Sequence, residues 1–237
     1  MEKHISTKGI NLYRAGKYSD ALAFFLSAAP EESDDLENAY YIGLCYMKLK
    51  RYEDALLYME QVVTTIATDD ITKERMLQCR LLLAVIYTMT GRNRLADFEL
   101  KSLLETGYRP ASVYAAMAYI AWNQHNIDTC VEYYERVLEI EPENVTALNG
   151  LGYVLASSDK DLTRALMLSK RALDSTPDSA ACLDTMGWVY FKLGLLKEAE
   201  GFLKKAQEKD GSSKEIADHL RLLQDSIDFS NATGGLR

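Results

Sequence analysis

Three histidines, four cysteines and a scatter of carboxylates are the residues of this 237-residue chain with the means to carry chemistry. His4, His125 and His219 lie far apart in the sequence, and none has a cysteine or carboxylate at the spacing of a metal cage or a nucleophile-base-acid triad. Cys45, Cys79, Cys130 and Cys182 form no CxxC pair and read as buried reduced thiols rather than as a zinc site or a disulfide framework. A Gly-rich phosphate loop of the Walker or dinucleotide type is absent from the sequence. Asn231, Ala232 and Thr233 spell a glycosylation acceptor, which without a secretory signal is expected to be fortuitous. The expectation is therefore a protein without catalytic residues, bound metal or cofactor, and not an enzyme.

Composition narrows the partner. Lys plus Arg number 27 against 35 for Asp plus Glu, a net charge of -8, which argues against the phosphate backbone of a nucleic acid. The 48% hydrophobic and 26% charged content is that of an ordinary folded domain, and 13 Gly with 4 Pro is sparse punctuation for a fold of many β turns. No run approaches the ~18 apolar residues of a membrane helix. Residues Met1 to Ile10 carry Glu2, Lys3, His4 and Lys8 without an apolar core, so the expected location is the cytoplasm, or the periplasm or envelope if a leader has been removed.

The elements that position these side chains emerge from internal repetition. A small residue recurs at Gly9, Gly43, Ala84, Ala118, Gly152 and Gly187, with gaps of 34, 41, 34, 34 and 35. A second recurs at Ala21, Ala55, Ala96, Cys130, Ala165 and Ala199 with nearly the same period. Large anchors fall three residues after the first landmark, including Leu12, Tyr46, Tyr87 and Tyr190. Others fall four after the second, including Phe25, Met59, Leu100, Tyr134 and Leu203, with Ser169 as the odd member. Spacings of three and four lie on one helix face, so each unit reads as two amphipathic helices joined by a tight turn marked at Gly16, Gly91 and Gly194. The longer gap of 41 reads either as lengthened flanking helices or as a protruding loop, and Asp69 and Asp70 as caps favour an early start to the first helix of the third pair. Hairpins of this kind must stack to hide their apolar stripes and need a polar-faced cap. Ile216, Leu220, Leu223 and Ile227 supply a stripe for a capping helix over 214–228, with 229–237 expected as a disordered tail. The acidic run Glu31, Glu32, Asp34 and Asp35 reads as a solvated turn between repeats.

On these residues the chain resembles the tetratricopeptide repeat family, whose unit reads W-x2-L-G-x2-Y, A-x3-F and P. The last copy is clearest, with Leu183, Met186, Gly187, Tyr190, Gly194, Ala199, Leu203 and Ala206 in register. The resemblance covers residues 2–213 as six repeats, starting near 2, 36, 77, 111, 145 and 180. It implies an all-α fold, a right-handed α-solenoid or superhelix of antiparallel helix-turn-helix units. The stretch from Leu151 through Ser157 to Lys160, with Asp184, Gly187 and Trp188, resembles a tandem common in bacterial members and implies a bacterial source.

In that family the first helix of each pair lines a concave surface. Carried over position by position, this implies a partner-binding groove of Tyr13, Tyr40, Tyr41, Leu44, Met47, Tyr119, Trp122, Asn149, Tyr153, Trp188 and Phe191. Asn149 falls where some members hold the backbone of an extended peptide. The cationic clamp that co-chaperone members use on chaperone tails is not implied, because Ser6, Ile10 and Tyr41 occupy its positions. The expected function is a monomeric, non-catalytic scaffold or adaptor that binds a protein or peptide in this aromatic groove, with no nucleic acid partner and no membrane span. The alternative is a structural or assembly subunit of a larger bacterial complex that associates through its convex face or ends.

Overall fold

A computed structural model describes residues 7–28, 36–66 and 69–234, with side chains to residue 230. His4, Ser6, the expected start of the first repeat at residue 2, and the acidic run from Glu31 to Asp35 lie outside these residues. So do the side chains of the Asn231 acceptor sequence. The described residues form thirteen α-helices. They fall into two compact units, residues 1–116 and 117–237.

The first unit holds α1 (Thr7–Arg14), α2 (Tyr18–Ala28), α3 (Leu36–Lys48), α4 (Tyr52–Val63), α5 (Asp70–Met89) and α6 (Asn93–Glu105). Consecutive helices pack antiparallel as hairpins, and each hairpin packs on the next. Helix α5 is 20 residues long and begins at Asp70, with the Asp69 carboxylate accepting the Thr72 N–H at 2.8 Å. The extra residues of the 41-residue gap therefore lengthen the helix at its N-terminus. Asn38 Nδ2 donates to the Phe25 carbonyl at 3.0 Å, and the Tyr87 hydroxyl donates to Glu60 at 2.9 Å, so neighbouring helices are also tied by polar contacts.

Helix α7 (Pro110–Asn123) contains the boundary between the units. The second unit continues with α8 (Ile127–Ile140), α9 (Val145–Ser157), α10 (Leu162–Ser175), α11 (Ala180–Lys192), α12 (Leu196–Lys209) and α13 (Lys214–Gly234). Asn144, Asp161 and Ser179 cap three of these helices through their side-chain oxygens. Gly187 shows why small residues recur: a Cβ there would lie 2.7 Å from Leu203 Cγ and 3.1 Å from its backbone nitrogen. The helices α11 and α12 approach closely only because that atom is missing.

Every hairpin turn has one solution. Gly16, Lys50, Gly91, His125, Asp159 and Gly194 all have φ between 51° and 76°. After each, the next backbone N–H reaches back to a carbonyl five residues earlier, as from Lys17 to Leu12 and from Leu195 to Tyr190, both at 3.0 Å. This is the Schellman closure of a helix C-terminus. Three turns use glycine, and Lys50, His125 and Asp159 accept the left-handed backbone at a cost of roughly 1 kcal/mol or more each. His125 is thus a turn residue.

Helix α13 runs to Gly234, six residues beyond the Asp228 boundary expected for the cap, so residues 229–234 are helical rather than a disordered tail. Ile216 packs with Leu183 and Ala206, Leu223 packs with Ala199 and Leu203, and Ile227 joins that cluster. Side-chain bonds one turn apart, Gln224 to Asp228 and Ser226 to the Leu222 carbonyl, carry the helix onward.

The four cysteines are free and buried, and burial pushes Cys45 up to about 11 and Cys79 and Cys130 up to about 12. Among the described residues no helix is long and apolar enough to cross a membrane. The fold class is all-α, an α-solenoid of helix-turn-helix repeats.

Candidate partner-binding site

The inner helices of the second unit share one register. Asn149 on α9, Asp184 on α11 and His219 on α13 are successively 35 residues apart, so the same position of three stacked helices carries an amide, a carboxylate and an imidazole. Four residues later, on the same faces, stand Tyr153 and Trp188. Helices α9 and α11 pack side by side, and α13 packs on α11 and α12.

The carboxylate and the imidazole of this register are partners of one another. His219 Nδ1–H donates to both oxygens of Asp184, at 2.9 and 3.0 Å, with both residues buried. The His219 ring stacks on Trp188 at 4.2 Å between centroids and lies 6.0 Å from Tyr153. Trp188 Nε1 donates to Ser157 Oγ at 2.9 Å. Ser157 and Glu215 lie beside the Tyr153 hydroxyl. The Trp188–Ser157 bond ties α11 to α9, and the His219–Asp184 pair ties α13 to α11. Burial, reinforced by the Glu215 carboxylate, raises the Tyr153 phenol far above its ordinary value and keeps it a donor.

Beside this network opens a cavity of about 490 Å³. Tyr119 and Trp122 from α7, Tyr134 from α8, Asn149 and Tyr153 from α9, Asp184 from α11 and Glu215 and Ile216 from α13 contribute to its lining. Trp122 meets Tyr153 edge to face, with centroids 5.5 Å apart and planes at 71°. Tyr119 is the most exposed of the lining rings, at 37%. The Oδ1 of Asn149 is buried and has no hydrogen-bond partner among the described residues. That volume is in the range of pockets that enclose a small ligand or a protruding side chain.

Of the residues expected in the groove, Tyr119, Trp122, Asn149 and Tyr153 line the cavity. Trp188 and Phe191 stack on each other at 5.1 Å behind it and are half-buried. In the first unit Tyr13, Tyr40 and Tyr41 form a ring cluster, with Tyr41 stacked on Phe25 at 5.2 Å and 6.1 Å from Tyr13. Met47 is half-buried. Tyr40 and Leu44 are corrected to core positions, each 8% exposed. Tyr40 is drawn inward because its hydroxyl donates to Gln78 of α5 at 2.7 Å and Arg75 covers its ring. Tyr134, Asp210, Glu215 and His219 were missed from the sequence. The signal for His219 was there, since it stands one repeat period after Asp184, as Asp184 does after Asn149.

Comparison with known proteins agrees with this architecture. A family model described as tetratricopeptide repeat matches residues 7–70, and one described as anaphase-promoting complex, cyclosome, subunit 3 matches residues 123–206. A TPR repeat-containing protein of Pseudomonas aeruginosa is 39% identical over 84 residues, 35% of this chain and 14% of that protein. Photosystem I assembly protein Ycf3 of Prochlorococcus marinus is 29% identical over 101 residues, 41% of this chain and 58% of that protein. The chain thus spans only part of the length of these relatives. In fold it is similar to a tetratricopeptide repeat protein of Parabacteroides merdae, with TM-score 0.75 and 16% identity over 91% of this chain and 81% of the other. A chain of the APC/C Cut9-Hcn1 hetero-tetramer matches with TM-score 0.71 and 14% identity over 91% of this chain and 41% of its own length. The repeated small residues, the recurrent hairpins, the two family models and the likeness of fold converge: the chain belongs to the tetratricopeptide repeat family, whose fold supports protein-protein interaction.

Proposed function

We propose that the chain is a non-catalytic interaction scaffold and that the cavity beside α7, α9, α11 and α13 receives part of a partner polypeptide. The observation that carries this reading is the aromatic lining with a buried, partnerless Asn149 oxygen at one place on the inner helices. A buried acceptor without a donor costs about 1–3 kcal/mol, and a bound peptide N–H would relieve it. Rigid rings such as Tyr119 and Trp122 give large contact area at small entropic cost. The ring cluster of Tyr13 and Tyr41 with Met47 offers the first unit a contact surface of its own.

The test is capture of partners from the source organism with wild type and with a Tyr119→Ala/Trp122→Ala variant, both shown to be folded by circular dichroism. A protein held by wild type and lost by the variant supports the groove. Retention by both moves the interface elsewhere and refutes this placement.

A second reading, assembly through the surface around the start of α12 and the C-terminal part of α13, draws support from a separate concavity of about 580 Å³. Phe191, Leu196, Leu222 and Phe229 line it, and Phe229 is 71% exposed. Light scattering at several concentrations tests it, because mass that stays monomeric with wild type, and equal to that of Phe229→Ser, excludes self-association there.

A further inference from the structure

The charged side chains lining the cavity of the second unit are all of one sign: Asp184, Asp210 and Glu215. Two neighbouring lysines are committed elsewhere. Lys192 pairs with Asp159 at 2.6 Å and lies over Trp188, and Lys209 pairs with Asp178 at 2.5 Å. Asp184 is answered by His219, Asp210 accepts from the N–H and hydroxyl of Ser212 at 3.1 and 2.7 Å, and the exposed residues Asp210 and Glu215 form the negative rim. Inside the rim, Trp122 and Tyr153 stand nearly perpendicular and make a corner of two ring systems, with Tyr119 beside them in the lining. Ring faces carry negative electrostatic potential and attract cations, most strongly where water is excluded. The partnerless Asn149 oxygen is an acceptor that a cationic N–H would satisfy.

These features are independent and select the same occupant. A carboxylate would be repelled by the rim and would offer Asn149 no donor. An aliphatic side chain would fill the rings but leave the acceptor unmet. We infer that the cavity takes the basic side chain, lysine or arginine, of a partner polypeptide. Its stem lies against Trp122, its head meets Tyr153 and Asn149, and Asp210 and Glu215 supply the counter-charge. The net charge of -8 adds long-range attraction for basic segments. This inference rests on the interaction reading and sharpens it by naming the chemistry of the partner.

The experiment uses four pools of immobilised dodecapeptides that are randomised except at one central position, fixed as Lys, Arg, norleucine or Glu. Each pool is probed with the purified full chain, with Trp122→Ala, and with Asp210→Asn/Glu215→Gln, after circular dichroism has shown that the variants are folded. The expected result is about tenfold stronger capture of the Lys and Arg pools than of norleucine, with Glu weakest. That preference disappears in the Asn/Gln variant, and capture of every pool falls in Trp122→Ala. Equal capture of norleucine and Lys, still sensitive to Trp122→Ala, overturns the basic-side-chain inference while leaving the groove in place. A preference for Glu overturns it as well. Capture that is absent, or indifferent to Trp122→Ala, overturns both this inference and the groove.

Discussion

Replacing His219 by Ala tests the construction of the site at its least forgiving point. The imidazole is hydrogen-bonded to both Asp184 oxygens, and each of the two side chains is only 7% exposed. Removing one partner from a buried pair costs about 3–5 kcal/mol, because the remaining carboxylate is desolvated without compensation. Loss of the 4.2 Å stack on Trp188 adds about 1 kcal/mol. The penalty has a local escape, since undocking α13 lets water reach Asp184, and the effect cannot exceed the free energy that holds that helix. Hydrogen exchange should therefore show protection over residues 214–230 falling ~100-fold or more, with α1 to α6 unchanged. Asp184→Asn keeps an acceptor for Nδ1–H and should lose only ~1 kcal/mol. If α13 in His219→Ala exchanges within threefold of wild type, the pair is not what docks the helix.

Other perturbations separate the packing rules from one another. Ser169 is buried opposite Gly152 with an unpartnered hydroxyl, so Ser169→Ala should stabilise by ~1 kcal/mol in denaturant unfolding. Gly187→Ala should destabilise by ~1–3 kcal/mol through contact with Leu203, whereas Gly201→Ala, mid-helix and facing open space, should stabilise by ~0.5–1 kcal/mol. The thiols give a pH dependence of definite sign. Burial raises Cys79 and Cys130 from 9.0 to about 12, so the unfolded chain loses these protons first. Their contribution is whole below pH 9 and is lost as pH rises towards 12, and stability in that window should fall less steeply in a Cys79→Ala/Cys130→Ala variant. Folded protein at pH 8 should react with a thiol reagent only as fast as it opens.

Sequence periodicity carried the helix pairs and their small-residue contacts because those contacts tolerate few side chains: at 187 even one carbon meets Leu203. Turns marked by Gly16, Gly91 and Gly194 were legible for the same reason, whereas Lys50, His125 and Asp159 take the same backbone without announcing it. Their geometry is imposed by the Schellman hydrogen bonds around them. Tyr40 and Tyr41 were indistinguishable as letters. What separates them is a Gln78 acceptor 38 residues away that draws one ring inward. The polar members of α13 were hidden because a histidine on an apolar stripe reads as an exception until its partner on α11 is known.

The 35-residue step from Asn149 to Asp184 to His219 also fixes how the array can grow. Helix α13 stands in phase with the first helix of a further repeat, and its histidine is a connector whose socket is the carboxylate one unit back. A whole repeat spliced between α12 and α13 would move that socket out of reach unless the inserted unit carried its own Asp in the position of Asp184. Lengthening this protein is therefore a matter of copying a plug as well as a period, and a chimera that copies only the period should end in a detached last helix.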